Sequence, residues 1–394
     1  MNRETLPTVE TPEQAWWRPV WICLAGEQPL PNVLPLLTRL PETVVFLHTD
    51  MKASIESAKR CARFMAAKGV KTMTHKTSAF SPKQVAEDVV TIAARHDLSR
   101  VLLNYTGGTK LMSLAAHNAL PPHIPKVYFD SRMGIMADQN AFVAAEPPAL
   151  TVEEMLSLHA DVTIDLTAEA PHGSETSSAL LAGLLAVDGR NLTSMLSFRQ
   201  KYLKPLRTGR NWRRLTDPIK NPFEDKNPDT ARGLEAAMRK DGLLEEREGF
   251  CPNSHGLTFL EGLWWEQVVA ARVKEGFREN GIDAASLDLK TNLTIRWTRA
   301  NIVTQNEFDL AFVFRNRLYL ISCTSASESE TEKRRVQIEA FTDRLGGHFG
   351  KAMIASTLGG ALIDKLRARG SDRVFVPAVG HWQDPAGLIR KWCL

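Results

Sequence analysis

A chain of 394 residues, 43% hydrophobic and 24% charged, is too long for one ordinary domain and too apolar to be disordered, so two or three globular domains are expected. Its formal charge of +4 permits contact with phosphates without demanding it. The five cysteines include no C-x-x-C pair, which argues against a zinc site and a disulfide framework and suits a reducing compartment.

Residues 1–20 lack the basic-then-apolar plan of a signal peptide, and no stretch approaches the roughly 18 uninterrupted apolar residues of a membrane span, so a cytoplasmic protein without membrane attachment is expected. Residues 1–150 alternate strand and helix signals. Strands are expected at Val20–Leu24, Thr43–Thr49, Val70–Lys76, Arg100–Asn104 and Lys126–Asp130. A segment punctuated by Pro29, Pro31 and Pro35 follows the first of them. Helical periodicity runs over Lys52–Lys68 with Gly69 as its stop, over Ser81–Arg95 with Ser81 as N-cap and Pro82 in the first turn, and over Lys110–Ala119. Short apolar strands alternating with helices imply a mostly parallel sheet covered on both faces.

From Glu146-Pro147-Pro148 to Pro171-His172-Gly173-Ser174 the composition shifts to acidic and small residues, which reads as a linker. Helical stretches at Ser177–Ala186 and Thr230–Lys240 then flank a basic, proline-containing segment, Lys201–Lys226. "LEAAMRKDGLLEEREG" resembles the helix-then-hairpin end of a winged-helix unit, so a duplex-binding regulator is one alternative. The remainder is α/β again. It carries a helix over Leu257–Glu275, a strand pair at Asn306–Phe314 and Leu318–Thr324, a helix over Lys333–Leu345, and strands at Ala352–Ser356 and Val374–Val379. The expected domains are residues 1–150, 151–256 and 257–394.

Two loops of the first domain carry chemistry. Asn104-Tyr105-Thr106-Gly107-Gly108-Thr109-Lys110 places a glycine pair between a buried strand and a helix. Glycines let backbone N–H groups converge, and the helix N-terminus adds partial positive charge, so an anion is favoured there. Thr106 and Thr109 offer hydroxyl donors and Lys110 a full charge. The pattern is neither a Walker loop nor G-x-G-x-x-G. The loop Ala25-Gly26-Glu27-Gln28-Pro29-Leu30-Pro31-Asn32 follows the first strand. In a parallel sheet, loops at the strands' carboxyl ends share one crevice, so both can face one ligand.

"GEQPLPNVLPLL" followed by "NYTGGTKLMSLAAHNA" resembles the CARF domain, a Rossmann-like module of CRISPR-associated accessory proteins. "FLEGLWWEQVV", "NEFDLAFVFRNRLYLISC" and "QIEAFTDRLGGHFGKAMIAS" extend the resemblance to CARF proteins fused to a PD-(D/E)XK nuclease domain, with a restriction-endonuclease-like α/β fold. The resemblance implies a homodimer that binds a cyclic oligoadenylate, with cyclic tetra-adenylate expected, through Gly26, Glu27, Gln28, Pro29, Asn104, Thr106, Gly107, Gly108, Thr109 and Lys110. It also implies Mg²⁺- or Mn²⁺-dependent cleavage of single-stranded DNA or RNA in type III antiviral defence.

Such a nuclease holds its metal with clustered carboxylates, here Glu266 and Asp309, and Glu307 joins Asp309 on one strand face by alternation. Where the family carries Glu-x-Lys, this chain reads Ser322-Cys323-Thr324. The positions are right and the chemistry is wrong, since Thr324 replaces an ammonium and Ser322 a carboxylate. Glu328, Glu330, Glu332 and Lys333 lie nearby as substitutes, with Gln337 one turn further on. Catalytic roles are therefore expected for Glu266, Glu307, Asp309, Thr324 and Lys333. Each has an ordinary alternative: a solvated helix face for Glu266, strand-start charges for Glu307 and Asp309, an exposed basic helix start for Lys333. A competing reading makes the C-terminal domain a decayed nuclease that binds nucleic acid or protein without cutting, and another lets the sensor domain slowly degrade its own ligand.

Overall fold

The computed structural model describes residues 17–130, 135–137, 142–144, 147–165, 180, 183–184, 198–208, 211–224, 228–299, 302–325 and 327–394. The chain divides into two compact units, Met1–Asp161 and Val162–Leu394. Of the expected helix Ser177–Ala186 only residues 180 and 183–184 are described. Residues 147–165 of the expected linker are structured instead: Thr151 caps a helix over Val152–His159 whose first turn holds the acidic Glu153 and Glu154, and Thr163–Asp165 is a strand.

The first unit runs β1 (Val20–Leu24), α1 (Leu30–Thr38), β2 (Thr43–His48), α2 (Lys52–Ala67), β3 (Lys71–Lys76), α3 (Pro82–Ala93), β4 (Val101–Asn104), α4 (Lys110–Ala119) and β5 (Lys126–Asp130). Two short strands, β6 (Ile135–Ala137) and β7 (Phe142–Ala144), and helix α5 (Val152–His159) complete it. The sheet order is β3-β2-β1-β4-β5-β6-β7, parallel through β5 and antiparallel at the β6–β7 edge. Every residue of β1 and β4 is buried, as a strand covered on both faces requires. The order reverses direction between β1 and β4. That is the topological switch point, where a crevice opens beyond the strand ends.

Helix α1 occupies the segment in which prolines suggested punctuation. Pro29 stands at its N-cap and Pro31 in its first turn, where missing N–H groups cost nothing. Pro35 sits within the helix. Burial of Leu30, Val33, Leu34 and Leu36 outweighs the one backbone bond that Pro35 removes.

The second unit has a mixed sheet in the order β15-β14-β13-β12-β11-β8. Its strands are β8 (Thr163–Asp165), β11 (Lys290–Arg299), β12 (Ile302–Phe314), β13 (Arg317–Thr324), β14 (Gly350–Ser356) and β15 (Val374–Phe375), with a small separate pair β9 (Arg207–Thr208) and β10 (Asn211–Trp212). Pairings from β8 to β13 are antiparallel, and β13, β14 and β15 run parallel. Its helices are α6 (Pro228–Lys240), α7 (Ser254–Thr258), α8 (Trp264–Glu279), α9 (Glu328–Gly346), α10 (Gly360–Ala368) and α11 (Pro385–Trp392). Helix α6 is followed by a bridge between Leu244 and Pro252.

The expected helix over Leu257–Glu275 is in three parts, since a π-helical turn at Phe259–Leu263 joins α7 to α8. Helix α8 buries Trp264, Trp265, Val268, Val269, Val273 and Phe277, and Trp265 Nε1 donates to Ala355 O at 2.8 Å, pinning the helix to β14. A Cβ at Gly276 would stand 2.4 Å from Pro385 O, so α11 closes on that side only because the residue is glycine. Strand β11 is an element the sequence reading did not anticipate, and α9 starts at Glu328, ahead of the expected start at Lys333. Glu328 and Glu330 in its first turn complement the helix dipole.

Candidate functional site

In the first unit the two candidate loops meet backbone to backbone at the switch point. A Cβ on Gly107 would lie 1.9 Å from Leu24 O, and one on Gly26 would lie 3.1 Å from Gly108 N. Gly108 adopts φ +75, the left-handed region that a side chain resists. Fully buried Asn32 donates Nδ2 to Leu24 O at 3.0 Å, and Asn104 Nδ2 donates to Pro31 O at 3.2 Å, so the first loop is tied both to the end of its own strand and to the end of β4.

The two threonines are committed internally. Thr106 Oγ1 donates to Asn104 Oδ1 at 2.6 Å and accepts from Phe129 N at 2.7 Å. Thr109 Oγ1 donates to Ala79 O at 3.1 Å and accepts from Met112 N at 3.2 Å, capping α4. Each hydroxyl hydrogen is thus given to a protein acceptor, and both side chains shape the loop. Glu27 and Lys110 are exposed. Beside the loop, Tyr105 contacts His117 with ring centroids 5.2 Å apart and Tyr128 at 5.9 Å. Leu111, Leu114 and Tyr128 are 47%, 62% and 44% exposed, an apolar face on α4 and β5.

In the second unit, Glu266, Glu307 and Asp309 line one cleft of about 920 Å³ together with Ser322, Thr324, Glu330, Lys333, Arg334 and Gln337. Helix α8 brings Glu266 to it and β12 brings the other two carboxylates. Register Leu310↔Ile321 sets Asp309 opposite the end of β13, where its Oδ2 accepts the Cys323 N–H.

Burial pushes the Glu266 carboxyl far above the usual carboxylate range, and the charges of Asp309 and Glu307 push it further, against the pull of Arg334. Burial raises Asp309 as well, opposed by the Cys323 N–H and by Arg334. The Cys323 thiol is driven up by burial and by Asp309 and Glu266, which keeps it protonated and unreactive. Glu266 is therefore no solvated surface charge. Glu307 is exposed at the rim, and Glu266 and Asp309 are partly covered.

Two hard carboxylates that repel each other at the floor of a polar cleft fit a divalent cation such as Mg²⁺ or Mn²⁺, which needs only one or two carboxylates when water and substrate phosphate complete its shell. Among the described residues no cluster of three or more His, Cys, Asp or Glu side chains forms a ready-made metal cage. Glu266 and Asp309 are the residues that would hold the ion.

The sequence reading missed the cation of this site. Lys333 stays at the rim, 71% exposed, paired to Glu330 at 3.3 Å. Arg334, though exposed, reaches the strand instead, and its Nη1 donates to Ser322 Oγ at 3.3 Å and to Cys323 O at 3.2 Å, where the family's lysine is lacking. Arg335 is buried between Glu332 and Glu339, both at 2.9 Å. Successive helix positions differ by about 100°, so three adjacent bases face three environments. Of the remaining substitutes, Glu332 is held by Arg335 and Glu328 lies 3.9 Å from Arg369, while Glu330 and Gln337 line the cleft.

Comparison with known proteins agrees with this architecture. The family model of the Card1 CARF domain matches residues 20–145, and that of the Card1-like endonuclease domain matches residues 254–376. No curated protein matches the sequence. Protein VC1899 from Vibrio cholerae superimposes with a TM-score of 0.73 at 17% identity, over 95% of this chain and 97% of that one. Can2 from Sulfobacillus thermosulfidooxidans, solved in complex with cyclic tetra-adenylate, superimposes with a TM-score of 0.67 at 21% identity, over 95% and 98%. No helix among the described residues is long and apolar enough to cross a membrane. The chain belongs to the family of CARF-domain proteins that carry a Card1-like endonuclease domain in the same polypeptide.

Proposed function

We propose that this protein is a cyclic-oligoadenylate-activated, metal-dependent nuclease of CRISPR type III defence that cuts single-stranded DNA or RNA as a homodimer. The observation that carries the reading is the pair Glu266 and Asp309, brought from a helix and a strand into one cleft with both carboxyls pushed up, and with Arg334 docked on the strand end beside them. Carboxylates held this way attract a divalent ion strongly. When bound, the ion lowers the pKa of a water and stabilises charge on the phosphoryl group. Arg334 supplies the fixed positive charge that Thr324 cannot, held in place by Ser322 Oγ and Cys323 O. Glu307 adds a further acceptor at the cleft mouth.

The regulatory half rests on the switch-point loops. Gly26 meets Gly107 and Gly108 there, and Can2, which shares the fold, was solved with cyclic tetra-adenylate, which supports Gly26, Glu27, Gln28 and Pro29 with Asn104, Thr106, Gly107, Gly108, Thr109 and Lys110 as the ligand loops. A phosphate of that ligand would meet the turn's backbone, the N-terminus of α4 and the Lys110 ammonium, with Asn104, Thr106 and Thr109 as scaffold. The exposed apolar face of Leu111, Leu114 and Tyr128 supports pairing of two chains next to the ligand loops. Ligand bound between the chains would then shift the dimer between two states.

Ser322 and Thr324 favour a second reading, in which the domain binds without cutting. One assay separates the two. Cleavage of labelled single strands with Mn²⁺, dependent on cyclic tetra-adenylate and lost in Asp309→Asn, supports the nuclease. Tight ligand binding with no cleavage of DNA or RNA under any metal supports the binding protein.

A further inference from the structure

The endonuclease match begins at residue 254, yet two arginines from before it, Arg199 and Arg207, line the same cleft as Glu266 and Asp309. Arg199 sits on a π-helical turn, Arg199–Leu203, and Arg207 opens β9. Both approach one carboxylate: Glu261 lies 4.0 Å from Arg199 and 3.2 Å from Arg207. Arg199 Nη1 also donates to Ser325 Oγ at 3.1 Å, next to Thr324, and the Arg207 guanidinium stands 4.6 Å over the Trp212 ring. Trp212 Nε1 in turn donates to Thr258 Oγ1 at 2.9 Å, so the platform beneath Arg207 is fixed to α7.

Two guanidinium groups share a single carboxylate, which leaves one net positive charge on this wall. Each guanidinium carries more N–H donors than these contacts use. Their side chains are 36% and 34% exposed, so the surplus donors reach the cleft. The same cleft holds the carboxylate pair. A strand whose scissile phosphate lies at Glu266 and Asp309 therefore has cationic donors ready for a neighbouring phosphate.

We infer that Arg199 and Arg207 form a phosphate grip for the single-stranded substrate, with Glu261 as the positioning residue that holds both arginines in place. The inference rests on the nuclease reading above and adds that residues outside the endonuclease match complete its substrate site. The grip contacts backbone, so it acts on any sequence.

The test uses the full-length protein, cyclic tetra-adenylate, and labelled oligothymidylate and oligouridylate. Binding is measured by anisotropy across a salt series in the Asp309→Asn background with Mn²⁺, and steady-state cleavage in the unmutated background. Two lost phosphate contacts reduce the slope of log K against log salt by about 1.4, at about 0.7 per contact for single strands. Arg199→Ala/Arg207→Ala is expected to show that smaller slope and a KM raised at least tenfold, with kcat changed far less. Arg199→Lys/Arg207→Lys, which keeps the charges, is expected to restore most of the slope. Glu261→Gln keeps both arginine charges but loosens the hold on them, and is expected to retain the slope while raising KM about threefold, less than the double alanine.

An unchanged slope and KM in the double alanine variant, with the parent active, overturns the grip and leaves the nuclease reading intact. A KM equal to the parent's in Glu261→Gln overturns its positioning role. A parent that neither binds nor cuts either strand overturns both.

Discussion

Replacing Arg334 tests how this site manages without the family's lysine. The guanidinium reaches Ser322 Oγ at 3.3 Å and Cys323 O at 3.2 Å, and its charge pulls down the proton affinity of both Asp309 and Glu266. Unit charges about 5 Å apart at an effective dielectric of about 20 interact by about 3 kcal/mol. If that interaction is realised mainly in the transition state, Arg334→Ala should lower kcat roughly 100-fold, comparable with losing one oxyanion donor. Arg334→Lys should recover about tenfold of the loss, since it restores charge without the fork of donors. Removing the cation also raises the carboxyl pKa values, so the acidic limb of the rate profile should move to higher pH. The assay is single-turnover cleavage of a labelled single strand with saturating Mn²⁺ and cyclic tetra-adenylate, between about pH 5.5 and 8.5, spanning the range in which raised carboxyls titrate. A rate within about threefold of the parent, with an unmoved limb, would refute the reasoning and return the role to another residue.

Further outcomes follow from the same geometry. Lys333→Ala, altering an exposed rim pair, should change the rate by less than about threefold. Because the folded state holds protons on Glu266 and Asp309 more tightly than the unfolded chain, metal-free stability should fall as pH rises from the ordinary carboxylate range through the raised values. Each unit of raised pKa is worth about 1.4 kcal/mol, so Asp309→Asn should flatten the fall in thermal melts recorded in EDTA; a steeper fall contradicts the assignment. Gly107→Ala places a Cβ 1.9 Å from Leu24 O and should cost about 3 kcal/mol or more in chemical denaturation, whereas Gly108→Ala, strained by φ +75 and by a Cβ 3.1 Å from the flexible end of Met112, should cost about 1–2 kcal/mol. Lys110→Ala should weaken cyclic tetra-adenylate at least about tenfold in calorimetry without changing the melting temperature, and equal affinity would remove Lys110 from the ligand site.

The first unit was largely legible because its buried strands are uninterrupted apolar runs and its helices carry ordinary caps. Val20–Leu24, Lys110–Ala119 and Lys126–Asp130 were bounded as the structure has them. Helix α1 was not, since prolines at 29, 31 and 35 mark a break in local chemistry and only tertiary burial overrules them. Strand β11, KTNLTIRWTR, mixes charge with apolar residues and gains its identity from pairing with β12 along nearly its whole length, a long-range fact.

In the cleft, alternation correctly placed Glu307 with Asp309 and Ser322 with Thr324 on faces that line it. Which of Lys333, Arg334 and Arg335 reaches the strand was beyond sequence reading. It depends on where α9 begins, and that start lies in a stretch that reads as a loop. The hydroxyl groups of Thr106 and Thr109 misled for a similar reason: their acceptors, Asn104 and Ala79, are set by the turn and by a distant segment. Arg207 looked like part of a generic basic segment and Arg199, just before it, carried no signal; both became cleft residues only through their approach to Glu261.

The most direct test of the account is to titrate cyclic tetra-adenylate into the protein at a concentration well above the dissociation constant while recording cleavage of a labelled single strand with Mn²⁺. The account predicts negligible cleavage without ligand, a linear rise, and a break at one ligand per two chains. It also predicts that Asp309→Asn gives the same binding break by calorimetry and no cleavage. Cleavage that ignores the ligand, or a clean binding break with no cleavage of either DNA or RNA in the parent, would contradict it.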